Sequence, residues 1–203
     1  MPQERQVFQF KISLNEIRPR IWRRIQVPEN YSFWALHVAI QDSMGWLDYH
    51  LHQFTVQDPY QDREELIGIP DEDFYDELPE VTPGWETFIS RYFTEPGQKA
   101  RYLYDYGDYW EHEVVFEGRF PRIKGTRYPK CIEGARKCPP EDCGGVGGYM
   151  EMLQILKQPR HSEHKSTLTW LGGAYNPFYF DEDKVRFENP EKRFEIAFEG
   201  RAI

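Results

Sequence analysis

The sequence predicts an α+β fold in a single domain over residues 1–203. Three observations predict it. Apolar residues alternate with a period of two through much of the first 120 residues. They recur at helical spacing in the remainder. The two patterns are segregated rather than interleaved as in a βαβ chain. The expected architecture is an antiparallel or mixed, roll-like sheet from the N-terminal half, helices packed on it, and a helical C-terminal part. A length of 203 residues is enough for one good core or two small ones, and 16% aromatic residues supply its substance.

The elements follow in order. Phe8, Phe10, Ile12 and Leu14 alternate with Val7, Gln9, Lys11 and Ser13, the pattern of a half-buried strand. Ile21, Arg23, Ile25 and Val27 suggest a second strand, joined to the first through Pro19 as an antiparallel hairpin that Pro28 ends. Ser32 is placed to cap a helix carrying Phe33, Leu36, Ile40 and Met44, and Gly45 to stop it. Leu51 to Val56 reads as a third strand. The acidic stretch 58–80 reads as a long loop or insert reaching to about residue 85, because Pro70, Pro79 and Pro83 oppose a regular element.

Arg101–Tyr106 and Tyr109–Glu117 read as a second hairpin turning at Gly107-Asp108. Phe120 to Gly148, rich in Gly, Pro and Cys, reads as irregular. Tyr149, Met152, Leu153 and Leu156 predict an amphipathic helix, and Ser162–Leu171 a second with Leu168 and Leu171 facing in. Asn189-Pro190 opens a last helix with Phe194, Ala197 and Phe198, stopped by Gly200.

The net charge of −9 argues against non-specific binding to nucleic acid or anionic membrane. Asp58–Glu80 holds ten acids against Arg63, and the first thirty residues hold six bases against three acids. The simplest expectation is that these regions face solvent or each other. No apolar run is long enough for a bilayer and the start lacks a signal peptide's apolar region, which predicts a soluble cytoplasmic protein. Three cysteines fit reduced thiols better than a disulfide framework.

Two segments carry the chemistry. In the first, a two-residue turn at Gly107-Asp108 would pair Asp105 with Trp110 and Leu103 with His112, setting Asp105 and His112 on one face. A carboxylate beside an imidazole suits a general base, or a metal ligand with its supporting partner. The plainer reading makes Asp105-Tyr-Gly-Asp108 turn chemistry and His112 a core side chain among Trp110, Val114 and Phe116. The second segment holds Cys131, Cys138 and Cys143 at spacings of six and four intervening residues. That is no zinc-knuckle pattern, although His112 could complete a Cys3His zinc set. The thiols read more simply as small buried hydrophobes. Pro139-Pro-Glu-Asp-Cys-Gly-Gly145 would hold Glu141 and Asp142 rigidly, for a divalent cation or an arginine. Arg18, Arg20, Trp22 and Arg24 form a stripe that could meet nucleic acid, or be a salt-bridged outer face, the reading an acidic chain favours. The histidines at 50 and 52 and at 161 and 164 have no companion ligands at convincing spacing.

Four ordered motifs carry a resemblance: Ile17–Val27; Gly45-Trp46 with His50-Leu-His-Gln-Phe54; Tyr104–His112; and Cys138–Gly145 with Gly148-Tyr149. The chain resembles the plasmid pRiA4b ORF-three-like family from about Val7 to about Phe198. Asp105, Gly107, Asp108, Trp110, His112, Pro139, Pro140, Glu141, Asp142, Gly144 and Gly145 match the family pattern. Tyr109 departs from it, and so does the looser Val146-Gly147-Gly148. The resemblance implies an α+β, roll-like fold and no particular reaction. The passenger-protein label TnpR of some members would imply a resolvase. The nucleophilic serine among arginines and the basic recognition helix of a serine resolvase are not found here.

The leading expectation is a binding or adaptor module for a protein, peptide or small ligand. Its groove would lie between the 101–117 hairpin and the 131–149 loop, with Asp105, Asp108, Trp110, His112, Glu141 and Asp142 as the functional cluster. The alternatives are a metal-dependent phosphoester hydrolase using the Asp, His and Glu ligands on a divalent metal, zinc being the candidate for the cysteine–histidine set, and a nucleic-acid-associated protein of mobile elements.

Overall fold

The structure, a computed structural model, describes residues 6–70 and 80–198. One eight-stranded sheet organises it. β1 (Gln6–Leu14) and β2 (Trp22–Pro28) form the expected antiparallel hairpin, in register from Val7 opposite Pro28 to Ser13 opposite Trp22. β3 (His52–Gln57) is the third expected strand. β4 (Glu64–Gly68) and β5 (Val81–Pro83) lie inside the stretch expected to be a loop. β6 (Lys99–Tyr104) and β7 (Trp110–Pro121) form the second hairpin. β8 (Lys130–Ala135) closes the set. The order is β5-β4-β3-β6-β7-β1-β2-β8, and only β4 and β5 run parallel. The fold is α+β with a mixed sheet, as predicted.

The helices begin with α1 (Phe33–Met44). Ser32 Oγ accepts the Ala35 N–H at 3.2 Å, a cap worth about 1 kcal/mol, and Gly45 ends the helix at φ 87°. α2 (Ile89–Tyr92) is a single turn. α3 (Gly145–Leu156), α4 (His164–Trp170) and α5 (Pro190–Phe198) match the three predicted C-terminal helices, with Asn189 Oδ1 accepting the Glu191 N–H at 2.8 Å. Leu168 and Leu171 of the α4 segment are only half-buried. Gly200, the predicted stop for α5, lies outside the described residues, as does Pro79.

α1 lies between the sheet and α5. Phe33, Leu36, Ala39, Ile40 and Met44 join the sheet's apolar face, while Trp34 and Val38 pack with Phe198, Phe194 and Trp85. Nearly every α1 side chain is buried, which explains its weak amphipathicity in sequence. At the centre of the sheet face, Phe10 meets Phe93 with ring centroids 4.9 Å apart and Phe116 at 5.4 Å. Burying such a ring contributes about 1.5–3 kcal/mol.

Two expectations need correction. The 58–80 stretch is not all loop. β4 pairs with β3, and its acids are satisfied by distant groups: Glu65 accepts from Tyr92 Oη at 2.7 Å and Thr82 Oγ1 at 2.9 Å, and Glu64 pairs with Arg101 at 3.0 Å. The 120–148 stretch is not all irregular, because β8 pairs with β2 through Trp22 opposite Ala135. The basic stripe makes no ion pair with the 58–80 acids among the described residues, although Arg20 and Glu64 line one depression. Arg24 pairs with Glu117 of β7 at 2.7 Å and with Glu133 of β8. The stripe is therefore an outer face tied down by the neighbouring strands: Trp22 lies beneath both Lys11 and Arg24, Arg18 donates to the Ile17 carbonyl, and Arg20 is exposed. Only those two glutamates, rather than the 58–80 acids, neutralise it among the described residues.

Candidate cation site

The second hairpin turns over residues 105–109, not at two residues. Tyr104 pairs with Trp110, and Tyr102 with His112. Asp105 and Tyr109 both take left-handed backbone, at φ 59° and 57°, and the Asp105 Oδ1 accepts from Gly107 N at 2.8 Å and Asp108 N at 3.2 Å. An aspartate that closes its own turn in this way lengthens the loop by satisfying its amides locally. The shift in register turns Tyr102 and Tyr104 to the core and leaves Asp105 at the strand's end.

His112 is fully buried and does not meet Asp105. Its Nδ1 lies 3.3 Å from the Tyr102 carbonyl, its Nε2 has no partner among the described residues, and Trp46 stacks edge-on to the ring. Burial lowers its pKa to about 4, so the imidazole is neutral. Trp110 is likewise a core residue.

The 139–145 loop docks directly on the hairpin and on the turn after α1. Trp46 Nε1 donates to the Pro139 carbonyl at 2.9 Å. Glu141 accepts from Leu47 N at 2.8 Å and from Tyr104 Oη, and Tyr104 Oη in turn accepts from Tyr49 N at 3.1 Å. Asp108 Oδ2 accepts from Gly144 N at 3.1 Å. Glu141 and Asp108 are thus clamps.

The clamps bring one set of polar atoms together. His50 Nε2 lies 3.1 Å from Asp142 Oδ1 and 3.5 Å from Asp105 Oδ2. All three ligand atoms fall within 4.8 Å of one another, the only such His/Cys/Asp/Glu group among the described residues. His50 Nε2 is shielded from solvent, yet hydrogen-bonds to neither carboxylate. Asp105 is tied to the same segment by its N–H, which donates to the Leu51 carbonyl at 2.9 Å. Asp142 also has a left-handed backbone, φ 57°. One nitrogen and two carboxylate oxygens, from three segments, form a donor set suited to a divalent cation.

Of the six residues expected to form the functional cluster, two meet here: Asp105 and Asp142. The imidazole is His50 rather than His112. Sequence spacing passed over His50 because its partners lie in distant segments; its place in the Gly45–Phe54 motif was the available signal. The thiol set is not assembled. Cys131 and Cys138 are buried and Cys143 is half-buried, and they do not converge with His112 within the described residues. Burial raises all three thiols, Cys143 to about 12. Native protein should therefore react slowly with a disulfide reagent at pH 8, and unfolding in urea should release three equivalents; fast native labelling of all three would contradict this burial.

The sequence pattern of the plasmid pRiA4b ORF-3-like protein matches residues 6–184. The chain belongs to this family. The pRiA4b ORF-3-like match spans every segment of the cation site. A Sinorhizobium fredii (strain NBRC 101917 / NGR234) relative, called uncharacterized protein y4hQ, is 34% identical over 168 residues, covering 83% of this chain and 82% of its own. The crystal structure of MM3350, a protein of unknown function from Methanosarcina mazei Go1, superposes with a TM-score of 0.82 at 42% identity, over 91% of this chain and 100% of that one. Among the described residues no helix is long and apolar enough to cross a membrane.

Proposed function

We propose that the protein is a divalent-cation-dependent hydrolase of ester or phosphoester bonds, with His50, Asp105 and Asp142 as ligands. The observation that carries this reading is the convergence of a solvent-shielded His50 Nε2 with the two carboxylates, at 3.1 and 3.5 Å and without a well-aligned hydrogen bond to either. His50, Asp105 and Asp142 would hold a cation through three ligands with coordination positions left open, and the cation would supply an activated water as nucleophile. The mixed nitrogen and oxygen set suits zinc, manganese or ferrous iron better than magnesium or calcium.

The binding-module reading has support from the same place. Leu47, Tyr49, Tyr106 and Tyr109 are large and exposed. Tyr49 precedes His50, and Tyr106 follows Asp105. On this reading they are a rim that holds the apolar part of whatever reaches the cation.

Calorimetric titration of chelator-treated protein with zinc and with manganese tests the proposal. One equivalent should bind, and His50→Ala, Asp105→Asn and Asp142→Asn should each weaken it by roughly tenfold or more. Cation at 100 times its dissociation constant should stabilise the fold by about 2.7 kcal/mol. Absence of binding, or binding indifferent to all three substitutions, would remove the basis for the proposal. Phosphatase and esterase assays on the loaded protein then test hydrolysis separately.

A further inference from the structure

A groove of about 740 Å³ opens between the end of α1, the Gly45–Tyr49 turn and the chain from Tyr179 to Ala197. Met44, Trp46, Phe180, Val185 and Ile196 supply its apolar lining. Its charged groups fall into two sets, besides the Asp181–Lys184 ion pair at 3.6 Å.

The first set is self-satisfied and acidic. Arg193 holds Asp42 at 2.8 Å, Glu188 at 2.7 Å and Asp48 at 3.5 Å. Three carboxylates on one guanidinium leave no cation to spare there.

The second set, Arg23, Lys137 and Arg186, is basic and makes no ion pair among the described residues. Arg23 is only 2% exposed. Its Nε donates to the Ser43 carbonyl at 2.8 Å, and its Nη1 to the carbonyls of Trp22 at 2.8 Å and Ala135 at 3.1 Å. Its Nη2 donates to nothing among the described residues, and no carboxylate there lies within ion-pair distance. The guanidinium face rests on the Phe180 ring at 3.8 Å. Lys137 sits over the Tyr175 ring at 4.7 Å, and Arg186 donates to the Val185 carbonyl at 3.0 Å. Neither has an ion pair among the described residues. A buried charge is normally paired, because desolvating it alone is costly. Carbonyl dipoles orient Arg23 without neutralising it.

We propose that this groove binds a small organic anion. Its carboxylate or phosphate head would accept from Arg23 Nη2 and Lys137, and an apolar or aromatic body would lie along Phe180, Val185 and Ile196. Arginine favours planar oxyanions, and a ring already stacked on its face preserves that orientation. The site is separate from the His50 cluster, although the turn after α1 serves both.

Calorimetric titration of the full chain with phenyl phosphate, phenylacetate and neutral benzyl alcohol tests it. One or both anions should bind saturably and the alcohol should not; which anion binds identifies the head group. Arg23→Gln should weaken binding at least tenfold and Lys137→Ala several-fold. Ile196→Glu, an exposed change that puts a carboxylate in the groove, should weaken it too. If Arg23→Gln does not fold, the two surface variants decide. Chelator and Asp142→Asn should leave anion binding unchanged, so loss of cation binding and loss of groove binding are distinguishable. The proposal is overturned by any of three results: neither anion binds, binding persists unaltered in the folded groove variants, or it disappears with chelator.

Discussion

Gly148→Ala should destabilise the protein by about 3 kcal/mol or more, the largest single-residue effect expected outside the aromatic core. An alanine in a helix interior ordinarily gains up to about 1 kcal/mol over glycine. Here the added carbon would overlap the carbonyl oxygen of Cys143, and backbone cannot swing aside as a side chain can. Relief requires the Cys143 peptide or the first turn of α3 to move. That movement displaces Asp142, so cation affinity should fall together with stability. Gly147 is the control. A Cβ there meets nothing within 4 Å, and the residue is exposed, so Gly147→Ala should be neutral or stabilising by up to about 1 kcal/mol. Urea unfolding of the pair measures the contrast. Equal stability of the two variants would mean that α3 is not anchored by this close approach. Gly145 makes the same kind of contact with the Asp108 carbonyl at φ 65°, so two glycines seat the loop on the hairpin.

The elements with clear local signals were legible in the sequence. Ser32 and Gly45 bound α1, Asn189-Pro190 opens α5, and the alternation in Val7–Val27 defines the first hairpin. The missed strands share one physical reason. β4, β5 and β8 are short, and their stability comes from pairing with β3, β4 and β2 rather than from their own pattern. The register of the second hairpin was illegible for a related reason. Whether Gly107-Asp108 makes a two-residue turn depends on whether Asp105 uses its carboxylate to close a longer one, and both options fit the same letters. Two of the three residues of the candidate site were legible, because rigid acids in Pro139–Gly145 and in the hairpin turn do meet. The histidine was not, because convergence across three segments is tertiary information. Nothing in the spacing of His50, His52 and His112 reveals that one faces two carboxylates and the others face the core.

The two proposed sites meet at one segment. Leu47 N and Tyr49 N are fixed by Glu141 and Tyr104, Asp48 is held from the other side by His37 Nε2 at 2.8 Å, and His50 follows directly. The groove shares Asp48 and Tyr49 with this turn. His37 Nδ1 lies 2.8 Å from Tyr102 Oη, so the hydrogen-bonded line continues from the sheet through α1 to Asp48 and Arg193. The turn is thus held in place by the protein's own contacts, whichever site is occupied.

Acidification should destabilise the fold between about pH 6.5 and pH 4.5, and buried imidazoles are the reason. Burial lowers His112 to about 4, and His52 falls well below its ordinary value through burial and through His37, whose ring stacks on it at 3.4 Å. Both rings stay neutral in the folded protein while the unfolded chain protonates near 6.5. The unfolded state thus binds more protons in this window, so stability is complete above it and declines as pH falls towards 4. His112 alone accounts for about 2–3 kcal/mol, at 1.4 kcal/mol for each unit of difference. Glu117, which Arg24 and Gln9 hold below the carboxylate range despite partial burial, adds a loss only at lower pH, and Asp42, raised by burial, works in the opposite sense. Urea midpoints at pH 7 and pH 4.5 read the effect. His112→Leu removes the titrating group, keeps an apolar side chain beside Trp46, and should flatten the dependence by a large part of that amount. An unchanged difference between the two pH values in this variant would assign the acid sensitivity elsewhere, with His52 the next group to replace. The position is informative either way, because His112 is the histidine the sequence marked for chemistry, and a neutral ring with an unpartnered nitrogen among Trp46, Tyr102 and Trp110 makes it a pH-sensitive element of the core instead.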